Sequence, residues 1–158
     1  GLIAGAAQGI PGATLVTRAG GNGRDFGFQL ADAPGQWQVS PAPAIRGTVD
    51  PKLPGATALA ALGDSALVDV MGLGGHALST APAVVEALRP HLPGDALTRG
   101  TGFLHGVLDG FGTRAATDAA RVRASGIGPL ILLGMIDADG RRGRIGGGCV
   151  ATTAAGFA

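Results

Sequence analysis

The sequence predicts an α+β fold: a mixed sheet with hairpins, a few short helices and glycine-rich loops. Three observations carry this reading. Segments of β-branched or alternating apolar residues are separated by tight Gly and Asn turns. Two short stretches carry helix start and stop signals. These pieces also succeed one another without a fixed repeat, unlike the strict alternation of a doubly wound sheet. With 158 residues and 46% apolar content, the chain is expected to form one domain over residues 1–158, with ample material for a core. It has 30 Gly, five Phe, one Trp and no Tyr, so that core must rest on close backbone approach and small aliphatic side chains.

Residues 13–19 (Ala-Thr-Leu-Val-Thr-Arg-Ala) read as a strand between Pro11-Gly12 and Gly20-Gly21. Phe26, Phe28 and Leu30 alternate with Gly27 and Gln29, which predicts a second strand with one buried face. Asn22-Gly23 between them makes a hairpin the natural pairing. Residues 37–40 add a short strand before Pro41. Four prolines break regular structure over residues 41–56, a segment too apolar for a free linker and therefore expected to be an ordered loop over the core. Residues 66–71 (Ala-Leu-Val-Asp-Val-Met) read as a buried strand with a glycine turn after it. Thr80 as N-cap and Pro82 in the first turn start a helix running to about Arg89, and Pro90 and Pro93 end it. In residues 95–112, Phe103, Leu104, Val107, Leu108 and Phe111 recur at helical spacing, but glycines interrupt them and leave the element ambiguous. Residues 114–125 read as a second helix, started by Thr113 and stopped by Gly126, with Ala115, Ala119 and Val122 on one face. Residues 129–136, apolar on both faces, are the expected central strand. Asp139-Gly140 then turns the chain back toward Arg144, Ile145 and the glycines at 146–148.

Twelve Lys and Arg stand against eleven Asp and Glu, so there is no basic face and no nucleic-acid partner is expected. The run Arg141, Arg142, Arg144 reads as a solvated turn. The single cysteine, Cys149, forms no internal disulfide and reads as a small buried hydrophobe; with His76, His91 and His105 it shows no metal-ligand spacing. Neither a metal nor another cofactor is therefore expected, and a reducing, cytoplasmic setting is. No apolar run reaches the ~20 residues of a membrane span, so no membrane partner is expected.

Three glycine-framed segments hold the polar residues of interest, because a residue without Cβ lets backbone amides approach a small ligand. In the first, Asn22 can donate to a carbonyl oxygen, Arg24 can fork onto a carboxylate or phosphate, and Asp25 can only accept; all three are also ordinary turn residues. In the second, Asp64 can orient Ser65 or Arg144, but no histidine stands beside it to suggest a hydrolase triad. The third, residues 72–77, matches G-x-G-x-x-A between a predicted strand and helix. The acidic residue that a dinucleotide site needs on a second strand is missing, which leaves amides for a smaller anion and a neutral His76 at the turn. This chemistry makes Asn22, Arg24, Asp64, Ser65 and His76 the candidate catalytic residues. Gly23, Asp25, Gly72, Gly74, Gly75, Arg144, Gly146 and Gly147 are candidates for holding a small anionic substrate.

The sequence also carries an ordered set of motifs. Gly21-Asn22-Gly23-Arg24-Asp25-Phe26-Gly27 comes first, then Trp37 with Ser40-Pro41-Ala42-Pro43, then Gly63-Asp64-Ser65-Ala66, then Gly72-Leu73-Gly74-Gly75 with Ala81-Pro82-Ala83. Gly126-Ile127 before an apolar strand and Gly143-Arg144-Ile145-Gly146-Gly147-Gly148 complete it. Together these resemble the YlbE/AllG family over residues 9–150, as the C-terminal portion of a longer family-type polypeptide. Residues 132–137 depart from it, with Leu-Leu-Gly-Met-Ile-Asp where the family has a polar Asn-Thr-Gly-Ile-Ala-His stretch. The resemblance implies an α+β subunit of an oxamate carbamoyltransferase system in allantoin and purine degradation, moving a carbamoyl group between oxalurate and phosphate to give oxamate and carbamoyl phosphate. It also implies partner subunits, one similar to the acyl-CoA synthetase α subunit. Two other readings stand beside it: a non-catalytic assembly subunit, and an amidohydrolase that uses water on a related ureide.

Overall fold

The computed structural model describes residues 2–108 and 113–157 and has an α+β architecture, opening with a short helix α1 (Leu2–Ala6) and a hairpin. The hairpin turn is set by two residues. Asn22 Oδ1 accepts the backbone N–H groups of Arg24 (2.9 Å) and Asp25 (2.6 Å), and Gly23 takes a φ of +85°, which a residue with a Cβ rarely adopts. Strands β1 (Val16–Asn22) and β2 (Asp25–Leu30) therefore pair antiparallel, with Gly20 opposite Gly27. Strand β3 (Gln38–Pro41) adds to β2, and the two-residue β5 (Leu62–Gly63) adds to β1, giving the order β3-β2-β1-β5. The alternation in β2 suggested one buried face, but both are buried. Gln29 is 3% exposed because its Oε1 accepts the Gly35 N–H at 3.0 Å and so does not need water.

A second sheet has the order β4-β9-β8, from β4 (Arg46–Val49), β8 (Ile127–Ile136) and β9 (Arg144–Thr153). The expected loop at residues 41–56 thus contains a strand, and β9 rather than β8 is central. Both corrections have one cause: a Cβ at Gly146 or Gly148 would strike the backbone of β4, so the glycines let β4 close on β9. Strands β6 (Leu104–Leu108) and β7 (Thr113–Thr117) form a separate antiparallel ribbon, so residues 104–108 are extended; Phe111 lies outside the described residues.

Two expected elements change type. Residues 66–71 form helix α2 (Ala66–Val70), not a strand. Its buried residues, Ala66, Asp69 and Val70, have i, i+3, i+4 spacing, and a buried carboxylate has no place in a central strand. The expected helix at 114–125 begins as β7; only α4 (Ala119–Ser125) is helical, with Asp118 accepting the Ala120 N–H at 3.0 Å as its cap and Gly126 closing it at φ +76°. Helix α3 (Pro82–Leu88) has Pro82 in its first turn as expected, but its N-cap is Ala81, since the Thr80 hydroxyl donates instead to the Ala77 carbonyl.

The main core lies between the two sheets. Phe28, Phe103, Phe157, Val16, Ile131 and Val150 meet there, with the Phe28 and Phe157 rings stacked 4.5 Å apart. On the other side of the second sheet Leu130 and Cys149 pack against Leu78 and Ala96. The Cys149 thiol is buried in β9 and donates to the His91 carbonyl at 3.4 Å.

Among the described residues strand β8 has a strand partner on one side alone, and side chains meet N–H groups along its other edge. Asp69 of α2 accepts the Leu132 N–H through Oδ2 (3.2 Å) and the Gly75 N–H through Oδ1 (2.6 Å). His76 Nε2 accepts the Leu130 N–H at 3.3 Å, so the imidazole is neutral with its proton on Nδ1, which is buried and meets no hydrogen-bond acceptor among the described residues. Burial pushes the Asp69 carboxyl up to about 7 against the pull of its N–H donors. Burial, and secondarily the Arg99 charge, lower His76 to about 4.

Gly74 and Gly75 are fixed by this arrangement. A Cβ at Gly74, whose φ is +53°, would strike the Asp69 carboxylate, and one at Gly75 would strike the Leu130 carbonyl. Gly75→Val is therefore expected to cost well over the ~1 kcal/mol of a propensity effect, and a urea midpoint close to the parent's would refute the arrangement.

The two titrations oppose each other. In the folded chain Asp69 keeps its proton above the unfolded value of 3.8, so its contribution to stability is present below that value and is lost as pH rises toward about 7. His76 resists protonation, so its contribution is full above the unfolded value of 6.5 and is lost as pH falls toward about 4. Each slope is about 1.4 kcal/mol per pH unit, and between roughly pH 4 and 6.5 they cancel. His76→Gln keeps an acceptor for Leu130 and removes one titration, so its stability relative to the parent should fall by about 1 kcal/mol or more per pH unit across that window. Denaturation at a series of pH values checks this, and parallel profiles for parent and variant would contradict it.

Candidate functional site

The first sheet carries a groove floored by small residues. One lobe of about 550 Å³ is lined by Ala19, Gly20, Gly21, Asn22, Asp25, Gly27, Trp37, Val39, Gly63 and Asp64. A second of about 300 Å³ adds Ala4, Gly5, Gln8, Thr17, Arg18 and Leu67, and shares Ala19, Trp37 and Asp64 with the first. Glycine keeps the paired positions uncrowded. A Cβ at Gly27 would lie 3.1 Å from the Trp37 ring, and one at Gly20 would lie 3.1 Å from the Gly63 carbonyl, so a side chain at either would crowd the indole or β5, which would have to give by a few tenths of an ångström.

The groove's polar groups have capacity to spare. Arg18, Asp25 and Asp64 make no side-chain hydrogen bond or ion pair among the described residues. Asn22 has committed Oδ1 to its own turn, which leaves its two Nδ2 protons as donors. Trp37 is 50% exposed, so part of its ring remains open to a ligand. The arrangement suits a small planar molecule with a carbonyl for Asn22, N–H groups for the carboxylates and a flat face for the indole.

The structure therefore brings Asn22, Asp25 and Asp64 together and places the other candidates elsewhere. Gly23 forms the hairpin turn. Arg24 and Ser65 are exposed next to groove residues but do not line it; Ser65 occupies the N-cap of α2 without a capping bond. His76, Gly74 and Gly75 serve the edge of β8, and Gly72 lies buried against the Arg114 carbonyl. Helix α2 precedes Gly72 and a single 3₁₀ turn (Gly74–His76) comes after it, so the strand–loop–helix context of a nucleotide fingerprint is absent. Gly146 and Gly147 are paired with β4 on one side and β8 on the other, and Arg144 Nε donates to the Gly146 carbonyl at 3.1 Å. Sequence reasoning does not name Arg18 or Trp37 as site residues: Arg18 reads as a strand residue, and Trp37 as a strand residue and part of a family motif. Arg18 did carry a signal, as the one charge in an otherwise uncharged predicted strand. Among the described residues no group of three or more His, Cys, Asp or Glu could hold a metal ion, and no helix is long and apolar enough to cross a membrane.

Comparison with known proteins places this groove in context. Residues 1–65 match the family described as oxamate carbamoyltransferase subunit AllG. Apart from Leu67, every residue lining the groove falls within that stretch. The match lies on the first part of this chain, so the expected confinement to the family's C-terminal portion does not hold. An uncharacterized protein of Escherichia coli (strain K12), YahG, is 34% identical over 155 residues; the alignment covers 92% of this chain and 33% of that protein. The crystal structure of a conserved protein of unknown function from Enterococcus faecalis V583 superposes with a TM-score of 0.79 at 26% identity, over 98% of this chain and 39% of that one. The chain thus spans about a third of the length of the curated relative it matches. The similarity to the family described as oxamate carbamoyltransferase subunit AllG thus rests on residues 1–65, the stretch that forms the groove.

Proposed function

We propose that the groove is the substrate site of an oxamate carbamoyltransferase subunit, where a carbamoyl group passes between oxalurate and phosphate. The observation that carries this is the convergence of the Asn22 hairpin and the Gly63–Asp64 turn on one groove inside the family-matched stretch. In the forward step a phosphate oxygen attacks the ureido carbonyl carbon of oxalurate. The bond from that carbon to the oxamate nitrogen then breaks, and the phosphate's proton passes to the departing nitrogen, leaving carbamoyl phosphate and oxamate. Asn22 Nδ2 donates to the carbonyl oxygen as it gains charge, and Asp64 accepts from the ureido N–H and fixes its orientation. Arg24, adjacent to Asp25, offers a guanidinium for the incoming anion. Members of this family are named as subunits, so partner chains, one similar to the acyl-CoA synthetase α subunit, complete the assembly in the cytoplasm.

In an assay of the assembled protein, carbamoyl phosphate should appear from oxalurate only when phosphate is present. Asp64→Ala should lower kcat/KM about tenfold to a hundredfold, the range expected when one hydrogen bond to a charged acceptor is lost. Because the Asp64 side chain is exposed and unpaired among the described residues, the melting temperature should stay within about a degree or two. Oxamate release without phosphate would point to a hydrolase, and full turnover by an assembly lacking this chain would reduce it to a scaffold.

A further inference from the structure

The two lobes of the groove differ in charge. The smaller lobe contains Arg18, with Gln8 and Thr17 beside it; the larger contains Asn22 and Asp25 and no cationic side chain. Asp64, Trp37 and Ala19 line both lobes and so mark their junction. All three ionisable side chains are unpaired among the described residues, so each is available to a ligand. A carboxylate is repelled by the Asp25–Asp64 end and can take two parallel donors from a guanidinium. An amide or ureide N–H finds acceptors at the acidic end and none on Arg18. The single aromatic ring lies at the junction, where a conjugated link between carboxylate and ureide would cross.

We infer that the groove binds its ligand in one direction, with Arg18 holding the carboxylate of a short planar ureido or amido acid and Asp64, with Asp25, holding its N–H end across Trp37. This inference rests on the reading of the groove as the substrate site and adds to it a specificity-determining residue, Arg18, and a polarity. It also keeps free phosphate out of the larger lobe, where two carboxylates face the cavity, so phosphate approaches the ureido carbon from outside that lobe.

The chain has one tryptophan and no tyrosine, so its emission reports directly on the groove. Titrations would use oxalurate, oxamate and the neutral diamide oxamide, which shares the planar amide but has no carboxylate. Oxalurate and oxamate should change Trp37 emission saturably. Arg18→Gln should weaken both by about tenfold to a hundredfold while leaving the weaker binding of oxamide unchanged, as expected for loss of a charge-assisted fork. Arg18→Lys should recover part of the loss, because it restores charge but not the paired donors. Asp64→Ala should weaken all three ligands. Unaltered oxalurate affinity in Arg18→Gln, with the emission change retained, would overturn the polarity and leave the substrate-site reading standing. Turnover of oxalurate that is unaffected by Arg18→Gln, Asp64→Ala and Trp37→Leu, with no emission change in the parent, would remove the groove as the site and both readings with it.

Discussion

The structure depends on how the outer edge of β8 is closed. This strand lies between two apolar clusters, so its unpaired N–H groups face protein rather than water, where an unmet donor is costly. Among the described residues no strand lies there to meet them. Asp69 and His76, from a helix and a turn upstream in sequence, provide the acceptors. The cost is two side chains held far from their usual protonation behaviour, and the tight spacing is possible because Gly74 and Gly75 add no atoms between them and the strand. A buried acid and a buried imidazole along one strand edge resemble catalytic machinery, but here each group's hydrogen bonds run to the protein's own backbone.

Glycine serves two different purposes in this chain. At positions 146–148 it brings strands together, with β4 on one side and β8 on the other. At positions 20 and 27 it lowers a sheet surface so that an aromatic ring and a loop can form walls around open space. Composition alone does not separate these uses. What separates them is the neighbourhood: the groove glycines adjoin unpaired charged side chains, whereas the ladder glycines adjoin other strands.

The hairpin was legible because Asn22-Gly23 is local chemistry: a side-chain oxygen within reach of two nearby N–H groups needs no tertiary help. Pro82 and Gly126 marked helix ends for equally local reasons. Reading failed where the pattern was short and apolar. Residues 66–70 could be a strand or a helix by hydrophobicity, and the deciding fact was a buried Asp whose partner Leu132 lies 63 residues away on β8. The central place of β9 was equally hidden, since a glycine triplet reads as a loop until another strand is seen lying on it. In the groove, Asn22 and Asp64 were visible through their glycine frames, whereas Arg18 and Trp37 acquire their positions from strand pairing that no local pattern reveals.

Cys149 occupies the middle of the central strand, opposite Arg46 on one side and Leu132 on the other. Burial raises its thiol above the usual range, with the Arg46 charge opposing weakly, so the reactive thiolate is scarce as long as the sheet is shut. A thiol reagent therefore meets this sulfur chiefly when β9 parts from its neighbours. The lone cysteine serves as a built-in clock, and its rate of alkylation records how often the second sheet opens.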